Sequence, residues 1–520
     1  YSFLSGEALQ LNDYKVMDIQ GFGYSKREEI AEKWISLGVE DTLQEKELYK
    51  RLEEIRVYLN SIIRKNILPP KPIYILILLQ MLEASDKQNL EMTSHGHCYQ
   101  KLIYQDLEKA KVRSGDIEMY LNFLTELAWE IFNNDDGLNA YKQERFFKKY
   151  KSIYIATDPI TMISNLNVVP LLTRADNKLN FSYPYIYYFF TAKKIADSFH
   201  NDSNSKLAFQ TLLTSYHRED YSNILVFITH HSKDSWVTDE INRVLKELFS
   251  NQKEATLTKD TLSFMDEFMA QIPDLIHETK NVKQFREERN KDLDKADNLD
   301  APSINDNDEI SLDVFVSINK TFKGMDLAGQ ILKNRHATLT KSTLAELAEN
   351  GTDTGLRFLD YFIEISDTTK SEIIKLLTGL LDESPEISNE EMKIHATKAY
   401  NQMVYGVISG MVRKIASSIG SKEAFIIYEE FEKQSNSPAV TLIKQTIDLQ
   451  FNRTIDFDEL ERTIYKLRNN PVCLHMLKSI VFQHSYMFTT EIGEKQKIAS
   501  LFGISVKRQL LLNTQKKRQE

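Results

Sequence analysis

The chain has 520 residues, 42% of them hydrophobic, with only 17 Gly and 11 Pro and a net charge of −10. This length and composition predict three to four domains rich in long helices, and the acidic balance excludes wholesale wrapping by nucleic acid while leaving room for a local basic patch. Two cysteines, Cys98 and Cys473, exclude a disulfide scaffold and predict a reducing, cytoplasmic setting. The longest apolar run, "IYILILLQML" at 73–82, is too short to span a bilayer, so no membrane partner is expected. No signal peptide is visible, and the chain opens at Tyr1 inside sequence that reads as structured, as expected of a fragment or processed product.

Residues 15–19, "KVMDI", read as a short strand leading through "QGFG" into a helix. Ser25 and Glu28 have capping-box spacing, and Gly38 is placed to close that helix. A second helix is predicted from Leu43, with Leu48, Leu52, Ile55, Leu59 and Ile62 on one face. Pro72 then opens a third, buried helix. "HGHC" at 95–98 reads as an exposed loop rather than a metal site, because no second ligand pair lies at finger spacing.

A helix from Met119 ends in "NDDG", followed by a short helix at 142–150. A hairpin is predicted with strands at 168–172 and 178–181 around "RADNK". "FSYPYIYYFF" at 181–190 puts seven aromatic rings in ten residues. Pro184 starts a helix there, predicted over 185–196, whose wide apolar arc calls for burial between two packed layers rather than base stacking. Three helices and a hairpin together suggest a winged-helix domain. Further helices fill 205–280, and the His230–His231 pair of "ITHHSKD" reads as a helix end. Residues 283–310 are dense in charge and are expected to be a solvated linker or an exposed helix end, with the main domain boundary there. Helices continue to the end, without a clear internal repeat, and "KKRQE" reads as a frayed tail.

The fold class is therefore mainly α: a helical bundle plus a winged-helix domain, then an all-helical C-terminal region. The divisions are a lead-in at 1–60, a small helical domain at 61–125, the winged helix at 126–200, a helical tail at 201–285, a charged linker at 286–310 and a C-terminal domain at 311–520.

Motifs for chemistry are sparse. There is no G-x-x-x-x-G-K-[ST] loop, no G-x-S-x-G elbow and no H-E-x-x-H. "QGFGYSK" has Lys26 where a dinucleotide loop needs a third small residue, so a tight turn is the better reading. No catalytic residue and no metal ligand are proposed. "YKQERFFKKYKSIY" gathers Lys142, Arg145, Lys148, Lys149 and Lys151 among rings. These cations could meet phosphates, although Phe146, Phe147 and Tyr150 equally supply an ordinary buried face.

The order of elements, with "LPPKPIYILILL" in a helical bundle and "LNFSYPYIYYFFTAKKIAD" closing a winged helix, resembles the C-terminal half of the nucleotide module of STAND signalling NTPases of the NACHT-like type. Pro72 fits the family's proline at the adenine side of the nucleotide. Phe181, Tyr183, Phe189 or Phe190, and Ala192 fit its aromatic helix. Tyr183 stands where the family carries a histidine that contacts the diphosphate. A phenol can donate a hydrogen bond there but cannot become cationic near neutral pH.

"NILVFITHHSKDSWVTDEI" and "GLRFLDYFIEI" look like the helical tail of bacterial anti-phage members. The resemblance implies ATP or ADP held by a P-loop domain upstream of Tyr1, an upstream effector, a phage or cellular trigger, and homo-oligomerisation on activation. Full-length parents would hydrolyse ATP through that P-loop domain. A winged-helix nucleic-acid-binding regulator and a non-catalytic helical scaffold are the alternatives.

Overall fold

The computed structural model describes residues 20–39, 43–63, 67–88, 95–134, 137–155, 158–175, 177–232, 234–271, 281–298, 309–381, 388–489 and 491–504. Among them are 21 α-helices and one two-stranded antiparallel sheet, so the chain is mainly helical. The predicted strand at 15–19 lies outside the described residues. No described helix is long and apolar enough to cross a membrane.

Four helices come first: α1 (Tyr24–Ser36), α2 (Glu45–Ile62), α3 (Pro72–Gln88) and α4 (His95–Lys109). Helix α1 ends before Gly38, whose φ of +79° takes the left-handed turn expected of it. Its start differs from the expectation. Ser25 and Glu28 form no capping box; Asp294, 270 residues beyond Tyr24, accepts from the Tyr24 and Ser25 N–H groups at 2.5 and 3.2 Å. Glu28 instead points to Arg286 and Asn290. "HGHC" is also corrected: it opens α4, and Cys98 is buried with its sulfur 3.5 Å from the Tyr58 hydroxyl.

Next come α5 (Ile117–Phe132), α6 (Ala140–Ile153), α7 (Pro159–Leu166), β1 (Leu172–Ala175), β2 (Lys178–Phe181) and α8 (Pro184–Ser198). The first strand begins where it was expected to end. Pro170 has no N–H for a ladder, so 167–171 form the turn after α7 while Val169 and Leu171 bury themselves. The register pairs Leu172 with Phe181 and Ala175 with Lys178, and an isolated bridge adds Leu138 to Leu179. Gly137 precedes that bridge at φ +72°, where a Cβ would run into the Asn180 amide.

The chain continues as α9 (Ser203–Thr214), α10 (Glu219–His231), α11 (Ser235–Glu247), α12 (Asp266–Gln271) and α13 (Val282–Asn298). Then follow α14 (Glu309–Arg335), α15 (Lys341–Leu381), α16 (Asn389–Ile419), α17 (Phe425–Ser435), α18 (Pro438–Phe451), α19 (Phe457–Leu467), α20 (Pro471–Tyr486) and α21 (Ile492–Leu501). Helices α14, α15 and α16 pack mutually. The α14–α16 crossing is close because Gly329 lies on the Ser418 carbonyl, a place no Cβ could occupy.

One contiguous apolar core runs from Ala31 to Ile498. Helices α10 and α11, ahead of the charged stretch, pack on α14 and α15 behind it. The first part of that stretch is helical, with most of its described side chains exposed or half-buried. It is α13, docked along α1, with Arg286 only 1% exposed. Its docking on α1 was not expected, because α13 is held there by polar groups, which composition counts as solvated. Residues 299–308 lie outside the described residues.

Candidate functional site

The loop before α3, "ILPPKP", buries Ile67 and Leu68 and then runs through three prolines. Their fixed φ leaves the loop little freedom and delivers Lys71 and Pro72 to the surface at the start of α3. The Phe22 N–H donates to Pro70 O at 2.7 Å, strapping the chain before α1 onto this loop.

Tyr183 is the N-cap residue of α8, with extended backbone (φ −135°, ψ 142°) and no side-chain cap bond. Its phenol is turned to α3 instead. Tyr74 meets the Tyr183 ring edge-on, centroids 5.7 Å apart. Lys71 Nζ donates to the Tyr183 hydroxyl at 3.2 Å and sits 5.0 Å from the ring centroid. Pro72 and Tyr183, 111 positions apart, therefore flank one seam through Lys71, the neighbour of Pro72. Lys71 and Tyr74 carry most of the contact, and sequence reasoning had not picked either of them.

Beneath Tyr183 lies Tyr185, stacked on it at 6.2 Å and fully buried, and Tyr99 of α4 follows at 5.8 Å. Burial pushes the Tyr74 and Tyr185 phenols far up, so both stay protonated at any physiological pH. Burial also raises the Asp106 carboxyl, partly offset by Lys109 at 3.3 Å. The seam thus presents an ammonium and a phenol at its surface over protonated phenols below. It can donate hydrogen bonds to an anion. Among the described residues lining it there is no activated nucleophile or poised general base.

The aromatic helix behind this seam is covered on both sides, by α5 and by α10. Phe189 meets Phe227 of α10 at 6.2 Å, and Phe190 stacks on Phe181. His231 closes α10 with its ring 4.5 Å from Phe189 and Nε2 3.0 Å from the Phe189 carbonyl. Burial, helped by Lys193, lowers its pKa to about 4, so it is neutral.

Four of the five α6 cations pair with carboxylates. Arg145 and Lys149 converge on the buried Glu130 at 3.7 and 3.5 Å. Lys148 pairs with Glu144 at 2.8 Å, and Lys151 pairs with Asp158. Lys142 contributes its backbone N–H to the Asn139 cap.

A polar centre that sequence reasoning missed joins α13 to the rest. Arg286 donates to Glu28 at 2.6 Å, to Glu53 at 3.3 Å and to the Met487 carbonyl at 3.3 Å. Asn290 donates to the other Glu28 oxygen at 2.7 Å. Arg56 closes on Glu53 at 2.9 Å. Burial opposes the Glu53 charge, but Arg56, then Arg286 and Arg289, hold its carboxyl down at about 2. The available signal was the spacing of Arg286, Asn290 and Asp294, one turn apart on one helix face.

Among the described residues no group of three or more His, Cys, Asp or Glu is placed to hold a metal. The side chains of His95 and His97 lie outside the described residues. The chain matches no family model, no curated protein and no solved structure.

Proposed function

We propose that this chain is the regulatory portion of a STAND-type NTPase, a nucleotide-gated switch serving bacterial antiviral defence. Helices α5–α8 with β1 and β2 act as its winged helix. One observation carries the reading: the Lys71–Tyr183 contact at 3.2 Å, which brings the proline loop of α3 and the start of the aromatic helix to one anion-compatible seam. The order of three helices, then a hairpin, with the Leu138 bridge added to β2 from ahead of the second helix, supports the winged-helix assignment. In this scheme ATP or ADP sits on a P-loop domain upstream of Tyr1, and the seam closes on its phosphates. A phage or cellular trigger sensed by the later helices opens it, and copies of the cytoplasmic protein then assemble and release an upstream effector.

The nucleic-acid alternative draws no comparable support. The third helix of a winged helix is the usual reader, and α7 (Pro159–Leu166, "PITMISNL") has no Lys or Arg. Four of the five cations of α6, Arg145, Lys148, Lys149 and Lys151, end on carboxylates instead.

The test is ADP and ATP binding by this chain together with its upstream sequence. Binding should weaken severalfold in Tyr183→Phe and in Lys71→Met, while the fold is kept. Absence of nucleotide binding, or binding indifferent to both substitutions, defeats the proposal.

A further inference from the structure

Between α1, α2 and α13 the polar seam encloses a small chamber with about 10 Å³ of open space, room for one atom-sized guest. Arg27, Glu28, Arg56, Asn60 and Asn290 supply most of its polar wall, and apolar side chains of α1 and α2 supply the rest. Arg27 is the unusual member. It is only 8% exposed, yet among the described residues no carboxylate lies within ion-pairing distance of it. Its Nε donates to the Phe22 carbonyl at 2.9 Å, its Nη1 donates to Asn60 Oδ1 at 3.4 Å, and its guanidinium lies 4.9 Å from the Tyr24 ring centroid. All three partners are neutral. A buried guanidinium ordinarily has an anionic partner, as Arg286 has in Glu28 and Glu53.

The neighbours do not supply one. Glu28 lines the chamber, but its two oxygens already accept from Arg286 and Asn290. Glu53 is held by Arg56 and Arg286. Asp294 takes the Tyr24 and Ser25 N–H groups, and it and Asp297 act on Arg27 only from longer range. Four guanidiniums, Arg27, Arg56, Arg286 and Arg289, thus gather around two carboxylates, Glu28 and Glu53. Burial, then Arg56, push the Arg289 guanidinium down to about 10, as a surplus of positive charge does. Nη2 of Arg27 and Nη1 of Arg56 have no protein acceptor among the described residues.

We propose that this chamber is a chloride site, in which one ion accepts from Arg27 and Arg56. The two guanidiniums exclude a cation, and a phosphate or carboxylate is too large for the space. Water fits by size but leaves the surplus charge in place. A chloride there ties α1 to α2 and, through Asn290 in the wall, α13 to both.

The test follows melting of the full chain as sodium chloride replaces sodium gluconate at constant ionic strength. The expected result is a saturable rise in melting temperature, as for a ligand held only by the folded state, and bromide should reproduce it. Arg27→Gln keeps amide donors but drops the charge and should lose the rise. Bromide soaked into crystals of the unsubstituted chain locates the ion even if that variant does not fold: its anomalous peak should lie in the chamber, between Arg27 and Arg56. Equal melting in the two salts with no halide peak in the chamber overturns the proposal, and the guest is then water. Equal melting with a peak marks binding at crystal concentration only and overturns it as well. A rise that never saturates, that Arg27→Gln keeps in full, or that accompanies a peak only elsewhere, also defeats it.

Discussion

Helix α8 buries eight side chains over its 15 residues, seven of them apolar or aromatic. Helix α13, two residues longer, buries Arg286 and Asn290 among its described side chains. Both helices are fixed against distant parts of the chain, but by opposite means. For α8, removal of rings from water drives the packing, worth about 1.5–3 kcal/mol for each fully buried large side chain. For α13, a guanidinium, two carboxylates and an amide satisfy one another where water is largely excluded. Such a cluster adds little net stability over an apolar replacement, yet it is costly to break because a lone buried charge remains. The α8 seam should therefore tolerate changes of shape poorly, and the α13 seam changes of charge.

The largest effects come from cutting each seam once. Arg286→Ala leaves Glu28 without its cation and Glu53 with Arg56 and one partner fewer, and should cost about 3–5 kcal/mol in denaturant unfolding. Phe190→Ala, at a fully buried ring, should cost a similar amount, about 3–5 kcal/mol, through lost burial and a cavity. Rescue separates them. Arg286→Met combined with Glu28→Gln removes charge on both sides and should recover much of the first loss. No change of charge should rescue the second. If the Met–Gln pair is as unstable as Arg286→Ala, the α13 seam is held by shape and the contrast with α8 fails.

Acid should then loosen the two seams in different pH windows. His231 in the α8 seam is held near 4, whereas an unfolded histidine titrates near 6.5. The unfolded chain takes up a proton that the folded one refuses, so stability falls as pH drops from about 6.5 toward 4. Glu53 in the α13 seam is held near 2 against an ordinary 4.5. Its contribution is fully present above about 4.5 and is lost as pH falls toward 2. Each full shift is worth on the order of 3 kcal/mol. Thermal melting across pH should show an upper and a lower decline. Burial depresses His217 and His484 as well, so His231→Gln should shrink the upper decline without removing it. An upper decline unchanged by His231→Gln would take that histidine out of the account.

The same contrast explains what could be read from the sequence. Helix α8 was legible because ring burial leaves a period: Tyr185, Tyr188, Phe189 and Ala192 repeat at helical spacing. Pro72 at the head of α3 and Gly38 behind α1 were legible because each acts through its own backbone. The strand at 172–175 was misplaced because the apolar run through Pro170 looks extended. The docking of α13 was not legible because its partners, Glu28, Glu53 and Met487, lie some 200–260 residues away; the helical spacing of Arg286, Asn290 and Asp294 marks a polar face but does not name what it meets. For the candidate site, the resemblance pointed to Pro72 and Tyr183. The side chains that join them, Lys71 and Tyr74, follow only from the way α3 meets α8.

The smallest expected effect lies where α13 meets α1. Ser25 and Glu28 have the spacing of a local cap, yet Asp294 does the capping, receiving the Tyr24 and Ser25 N–H groups and the Ser25 hydroxyl at 2.7 Å. A carboxylate at a helix N-terminus also meets the positive end of the helix dipole. Asp294→Ala removes both contributions and should cost about 1 kcal/mol, the usual worth of an N-cap. Asp294→Asn keeps an acceptor oxygen and should cost only a few tenths of that. Amide hydrogen exchange locates the effect: Asp294→Ala should speed exchange in the first turn of α1 and leave α8 untouched. If instead Ser25 and Glu28 close their local box once Asp294 is gone, exchange at that turn will not change. The distant cap would then be one of two interchangeable ways to start the same helix, and the polar seam would owe its strength to Arg286 alone.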